Sequence, residues 1–210
     1  MATRKQRNVE RKRKTRQTLL QAATIVFNRS GYHATLISDI VAEAGVGQGT
    51  FYRYFESKRE IIDALFDHFI TSLFEGFAPL ELQLPSDEDS YRDASVRALI
   101  QVSSIIERNK DITFLFLQVG PSIDKEFAEK LAAVQDQLAA IAQFYLDHAI
   151  ASGFARPCNS EVVAQSLVGV GIRLFHLWFS GRLPGIPLPK LIEEVVDFAF
   201  KGFGSNRQSQ

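Results

Sequence analysis

Apolar positions recur at helical spacing along nearly the whole chain, starting with Leu19, Ala22, Ala23, Val26 and Phe27. Gly31 follows this first run and suits a helix C-cap, since glycine enters the left-handed region without a Cβ clash. Ile37, Ile40, Val41 and Ala44 give a short second helix its buried face, with Gly45 to end it. A third short helix is expected over 47–55. A long fourth one starts at Lys58 and carries Ile61, Ile62, Leu65, Phe66, Phe69, Ile70, Leu73 and Phe77. After a loop with two prolines and several acids at 79–89, further helices are expected over 91–107, 112–119, 124–151, about 160–179 and about 189–203. No run alternates apolar and polar residues for long enough to suggest a strand. The expected fold is all-α, with about nine helices and no internal repeat.

Residues 1–14 lack this pattern. They are polar and basic, have almost nothing to bury, and are expected to form a flexible arm. The expected division is therefore an arm over 1–14, a small helical domain over 15–60, a larger one over 61–204 and a polar tail over 205–210.

Charge sharpens this division. The 210-residue chain has formal net charge zero, yet residues 1–60 hold 12 Lys and Arg against 5 Asp and Glu, a net of +7. The remainder holds 12 against 19, a net of −7. A basic head on an acidic body suits a nucleic-acid partner, although a basic tail can also serve solubility alone. The single cysteine, Cys158, excludes an intramolecular disulfide and a cysteine metal cluster, and suits a reducing compartment. Val162 to Phe179 is the most apolar long stretch. Interrupted by Gln165, Ser166, Arg173 and His176, it is expected to fall short of a membrane span. No signal-peptide pattern opens the chain. A soluble, cytoplasmic protein without a membrane partner is expected.

The segment 35–58 carries the chemistry. A helix-turn-helix needs a buried face on its first helix (here Ile40 and Val41), a turn residue at ease with positive φ (Gly45), and an apolar plug (Val46). Its second helix must pack one face inward while presenting polar groups to a major groove. Phe51 and Phe55, four apart, supply the inward face and leave Gln48, Thr50, Tyr52, Arg53 and Tyr54 outside. Enzyme constellations are missing. His33, His68, His148 and His176 have no metal-ligand spacing, no Gly-x-Ser-x-Gly occurs, and no cofactor is expected.

The string Gly-Val-Gly-Gln-Gly-Thr-Phe-Tyr-Arg-Tyr-Phe-Glu-Ser-Lys at 45–58, with Asp39-Ile40-Val41 upstream, resembles the signature of the tetracycline-repressor (TetR) family. The resemblance covers about residues 15–60. It implies a three-helix DNA-binding domain, followed by a helical domain that dimerises and binds a small molecule. By this resemblance Gly47 caps the recognition helix, where the family often has serine, and Gln48 reads a base, glutamine being able to pair with adenine. Thr50, Tyr52 and Tyr54 fall at positions that meet phosphate or a thymine methyl, and Lys58 at one that grips a phosphate. Arg53 could reach guanine or a phosphate. Thr35 and Ser38 are candidate backbone contacts, with Thr35 also a candidate cap for the second helix.

In the body, a homodimer interface is expected from Ala164, Val168, Gly171 and Phe175 together with Val195, Phe198, Ala199 and Gly202, although these faces could also pack within one subunit. Phe69, Leu73, Phe77, Ser103, Phe114, Gln118, Phe144, His148 and His176 are candidate pocket residues for a small hydrophobic or aromatic effector, with core packing as the alternative. The expected activity is a ligand-responsive repressor that binds a palindromic operator in double-stranded DNA as a dimer.

Overall fold

The computed structural model describes residues 3–75 and 84–203, with side chains through Lys201. Among the described residues there are nine α-helices and no strand: α1 Arg4–Ser30, α2 Ile37–Ala44, α3 Gln48–Phe51, α4 Lys58–Glu75, α5 Glu88–Arg108, α6 Lys110–Gln118, α7 Lys125–Ala151, α8 Ser160–Phe179 and α9 Leu188–Phe203. Phe77 lies outside the described residues. The chain forms two compact units. The first runs to Thr71 and takes in Asp111–Lys125, and the second comprises Ser72–Lys110 and the chain from Glu126 onward.

Two expectations about the first unit need correction. Residues 4–14 are helical, so α1 begins eleven residues ahead of the expected start at Thr15. Thr3 and Gln6 form a reciprocal cap, with the Thr3 N–H donating to Gln6 Oε1 at 2.7 Å and the Gln6 N–H to Thr3 Oγ1 at 3.3 Å. The Arg, Lys and Gln residues that follow are good helix formers without an apolar face, so hydrophobic periodicity could not reveal them. The recognition helix is also shorter than expected. Its regular part ends at Phe51, and the chain goes on through turns in which Arg53 N–H donates to Thr50 O and Tyr54 N–H to Phe51 O.

The core of the head is made by Leu19, Ala23, Val26, Phe27, Ile40, Phe51, Phe55, Ile61 and Ile62, all buried. Lys58, in the first turn of α4, fastens the segment between α1 and α2. Its Nζ donates to the carbonyls of Tyr32 (2.5 Å), Thr35 (2.8 Å) and His33 (3.2 Å) and stands 4.5 Å from the centre of the Tyr32 ring. An ammonium has three donors, and all three are engaged. Burial pushes Lys58 below the usual lysine range, while the three carbonyls and the aromatic face favour its charged form.

Asp111–Lys125 packs on the same unit. Asn28 Nδ2 donates to Asp111 O at 2.9 Å, and the His33 ring Nε2–H donates to Ser122 O at 2.7 Å. Arg59 bonds Asp63 on its own helix and Asp124 across it. The rings of Phe66 and Phe69 lie 5.2 and 5.9 Å from that of Phe116.

In the second unit, α5 starts behind an Asp87–Ser90 cap and α8 behind Asn159, whose side chain accepts from Val162 N–H. Tyr91, Leu146, Ala149, Ala155 and Ala199 form one core cluster. Leu188, Leu191, Ile192 and Val196 form another, onto which Phe175 and Trp178 pack. By length and composition α8 does meet the requirement for crossing a membrane, contrary to expectation. Its polar residues are too dispersed to break the apolar average. Few of its residues are buried in the protomer, and Val162 is 59% exposed.

Lys58→Met should cost about 1–3 kcal/mol in denaturant unfolding, because it leaves three partly buried carbonyls unmatched. Lys58→Arg should recover little, since a planar fork cannot address three carbonyls converging on one point. Wild-type stability after Lys58→Met would show that water replaces the clamp. A second expectation concerns Tyr91, whose hydroxyl burial pushes up to about 12 from the usual 10, with Tyr145 adding to the rise. A raised folded-state value gives stability that is complete below pH 10 and is lost as pH climbs through 12. Between those limits the wild type should lose about 2–3 kcal/mol more than Tyr91→Phe in paired unfolding curves.

Candidate DNA-binding surface

The turn between α2 and α3 is set by Gly45, at φ 66° and ψ 33°, a left-handed conformation that strains any residue with a Cβ. It turns the chain so that Val46 N–H reaches back to Val41 O at 3.0 Å. Arg29 pairs with Glu43 at 3.2 Å and ties α1 to α2 on the outside, a surface contact worth at most about 1 kcal/mol. α3 then opens on Gly47, whose carbonyl accepts from Thr50 N–H at 2.8 Å. Gly47 makes no side-chain cap, and nothing lies within 4 Å of where its Cβ would be.

The two faces of this segment separate as the residue types require. Phe51 and Phe55 are buried, with rings 5.9 Å apart, and Arg16 of α1 lies over the Phe55 ring at 5.1 Å. Gln48, Tyr52 and Arg53 are exposed, Tyr52 to 56%, while Thr50 and Tyr54 are half-buried. Ser38 on α2 is exposed as well.

Two candidates do not stand free. Thr35 is 1% exposed, and its hydroxyl donates to Gly31 O at 2.7 Å, so it neither caps α2 nor reaches a phosphate. The cap position is Leu36, whose N–H donates to Asp39 Oδ2 at 2.9 Å. Sequence reading placed it one residue early because threonine is the better capping type. Lys58 is turned to the three carbonyls, so a phosphate could gain it only by displacing one of them. Sequence reading passed over exposed Leu36 and Gly49. Nothing lies within 4 Å of a Cβ built on Gly49, which leaves backbone open to close approach on the first turn of α3. A glycine within a short helix is the signal that could have found it.

The remaining candidates divide between the two units. Phe69, Phe114 and Gln118 belong to the first unit, and Leu73, Ser103, Phe144, His148 and His176 to the second. Gln118 and Phe144 are exposed, which is a poor position for a pocket lining. Ser103 donates its hydroxyl to Ile100 O, and His148 Nε2–H donates to Pro85 O at 2.8 Å. Of the expected interface residues, Ala164 and Ala199 are buried within the chain and Phe175 packs on its core. Val168, Gly171 and Val195 are half-buried, Phe198 is 66% exposed, and the surroundings of Gly202 lie outside those described. The exposed positions of α8 include Val162, Gln165, Ser166, Gly169 and Arg173, while Val168, Gly171 and Phe175 remain half-buried.

A sequence model of bacterial regulatory proteins of the tetR family matches residues 19–65. The HTH-type transcriptional regulator YdgC of Bacillus subtilis (strain 168) is 31% identical over 194 residues, which are 90% of this chain and 92% of that protein. The HTH-type transcriptional repressor Rv3405c of Mycobacterium tuberculosis (strain ATCC 25618 / H37Rv) is 31% identical over 120 residues, 54% of this chain and 63% of that one. Among solved structures, the regulator FadR of Bacillus subtilis in complex with stearoyl-CoA superposes with a TM-score of 0.72 at 18% identity, covering 89% of this chain and 98% of its own. The all-helical fold, the exposed edge of α3 and these likenesses agree: the chain belongs to the TetR family of transcriptional regulators.

Proposed function

We propose that the protein is a repressor that binds a palindromic operator as a homodimer and is released by a small apolar or amphiphilic effector. The observation that carries the DNA-binding part is the split of residues 48–55, α3 and the turns after it, into a buried Phe51–Phe55 side and an exposed Gln48–Tyr52–Arg53 edge. That edge is mounted on a head whose turn before α2 is clamped by Lys58. Gln48 reads a base, with adenine as its natural partner. Arg53 reaches guanine or phosphate, and Tyr52, Thr50, Tyr54 and Ser38 line the phosphates or a thymine methyl. Gly47 admits the duplex close to the start of the helix without contributing a hydroxyl.

Dimerisation gives the exposed apolar side chains of α8 and α9 a cover. Val162 and Phe198 would be costly to leave in water, and a second copy supplies a matching surface with two heads at a fixed spacing. Half-sites about 34–36 Å apart, or modestly more, follow from that symmetry. A neighbour of this fold holds stearoyl-CoA, which supports an amphiphilic effector for the body of this chain. α4 runs without a break from the first unit into the second, so an effector acting on its later turns would reach the head through one helix.

Selection of bound duplexes from a genomic pool should return a two-fold symmetric site. Recovery of no preferred sequence would sink the proposal. On that site Gln48→Ala should cost about 1–3 kcal/mol and relax preference at one base step. Tyr52→Ala should weaken binding with an unchanged melting temperature; early melting would mean that Tyr52 supports the fold instead. Phe198→Glu should convert the dimer to a folded monomer in sedimentation, and a dimer that survives it would place the interface elsewhere. Failure of acyl and aromatic compounds to release the operator would remove the effector reading alone.

A further inference from the structure

α1 extends well beyond the head it serves. Its first buried residue is Leu19, and almost every side chain from Arg4 to Gln17 is exposed. At about 1.5 Å per residue the stretch from Arg4 to Arg16 is about 18 Å long, equivalent to about five base pairs of duplex. It carries eight Lys and Arg residues and one acid, Glu10.

The cations are not spread evenly around this rod. At about 100° per residue, Arg4, Lys5, Arg7, Arg11, Lys12, Lys14 and Arg16 occupy an arc of roughly 200°. Gln6, Val9, Glu10, Arg13 and Gln17 occupy the rest, where Arg13 pairs with Glu10 at 2.8 Å. The arc is centred on the same side of the helix as Leu19, Ala22, Ala23 and Val26, which pack on the head. Arg16, at the inner end of the arc, meets the head at Phe55, just beyond the recognition helix. The charged face therefore continues the line of the face by which α1 packs on the head, and its inner end reaches Phe55.

Such an arrangement weakens the free helix. Like charges stand at i,i+3 and i,i+4 along the arc, and the first turn carries cations and no acid against the positive end of the helix dipole. A polyanion laid along the arc would remove both penalties, whereas a tail kept for solubility gains nothing from facing its charges one way.

We infer that residues 4–16 of α1 are a rigid cationic rod that follows the phosphates of duplex DNA flanking the operator, outside the reach of α3. This rests on the DNA-binding function proposed above. The rod supplies affinity and length of footprint but no base preference, since phosphate contacts carry no sequence information.

The test compares wild type with a variant in which Arg4, Lys5, Arg7, Arg11, Lys12 and Lys14 are all changed to Gln, which keeps helix propensity. The probes are the selected operator duplex and the same duplex shortened at both ends. For the variant, the slope of log affinity against log salt should flatten by about three units or more, and affinity near 0.1 M salt should fall about tenfold or more. Its preference for operator over unrelated DNA should persist. Wild type should lose affinity when the flanks are trimmed, and the variant should not. Arg13→Gln, on the opposite face, should leave slope and flank dependence unchanged. A variant that keeps the wild-type slope, or a wild type indifferent to the flanks, overturns the inference. Absence of any sequence preference in wild type would instead overturn the function on which it rests.

Discussion

The geometry of the head depends on one half-buried cation. Lys58 draws three carbonyls of one short connection, those of Tyr32, His33 and Thr35, onto a single ammonium at the start of α4. Those carbonyls belong to the segment that ends α1 and introduces α2, so one contact fixes how α2 leaves the first helix and where the fourth begins. Backbone groups without helical partners need a donor when water is kept away, and a lysine can serve three at once where a neutral side chain serves one or two. The Tyr32 ring closes the far side of the cation. α2, held this way, sets the angle of α3 through Gly45 and Val46, and the exposed edge of α3 follows from there.

Much of the head was legible because its residue types leave few alternatives. Phe51 at the end of α3 and Phe55 after the following turns are both large and apolar, so both go to the core and leave Gln48, Tyr52 and Arg53 outside. A lone lysine at a helix start gives no such hint. Whether it points to solvent or to carbonyls depends on chain 23 to 26 residues upstream, which spacing cannot reveal. Thr35 failed for a related reason. Its hydroxyl could serve either the helix before it or the one after, and Gly31 O lay within reach.

In the body, the apolar stripe of α8 was readable but its assignment was not. Ala164 and Phe175 were the natural choice for an interface, yet Ala164 is buried within the chain and Phe175 packs on its core, while the rest of the stripe is half-buried. What remains for an outside partner is a mixed face, with Val162 and Gly169 set among Gln165, Ser166 and Arg173. Non-obligate interfaces are commonly no more apolar than the rest of the surface, whereas homodimer interfaces are more so. Apolarity therefore ranks helix faces for burial, and only the packed structure says which burial is internal.

Hydrophobic periodicity is blind where a helix buries nothing, and α1 illustrates the cost. Residues 4–14 lack an apolar face, so the pattern pointed to a loose arm, although their capping residues and helix-forming side chains favour a helix. The difference matters physically. A flexible arm loses conformational entropy when it lies along a polyanion, while a helix joined to the head has already lost it. A stiff rod also holds its charges at one fixed angle to α3, which an unstructured arm would not. The net charge of zero conceals this entirely, because the surplus on the first sixty residues is offset by acids spread over the body.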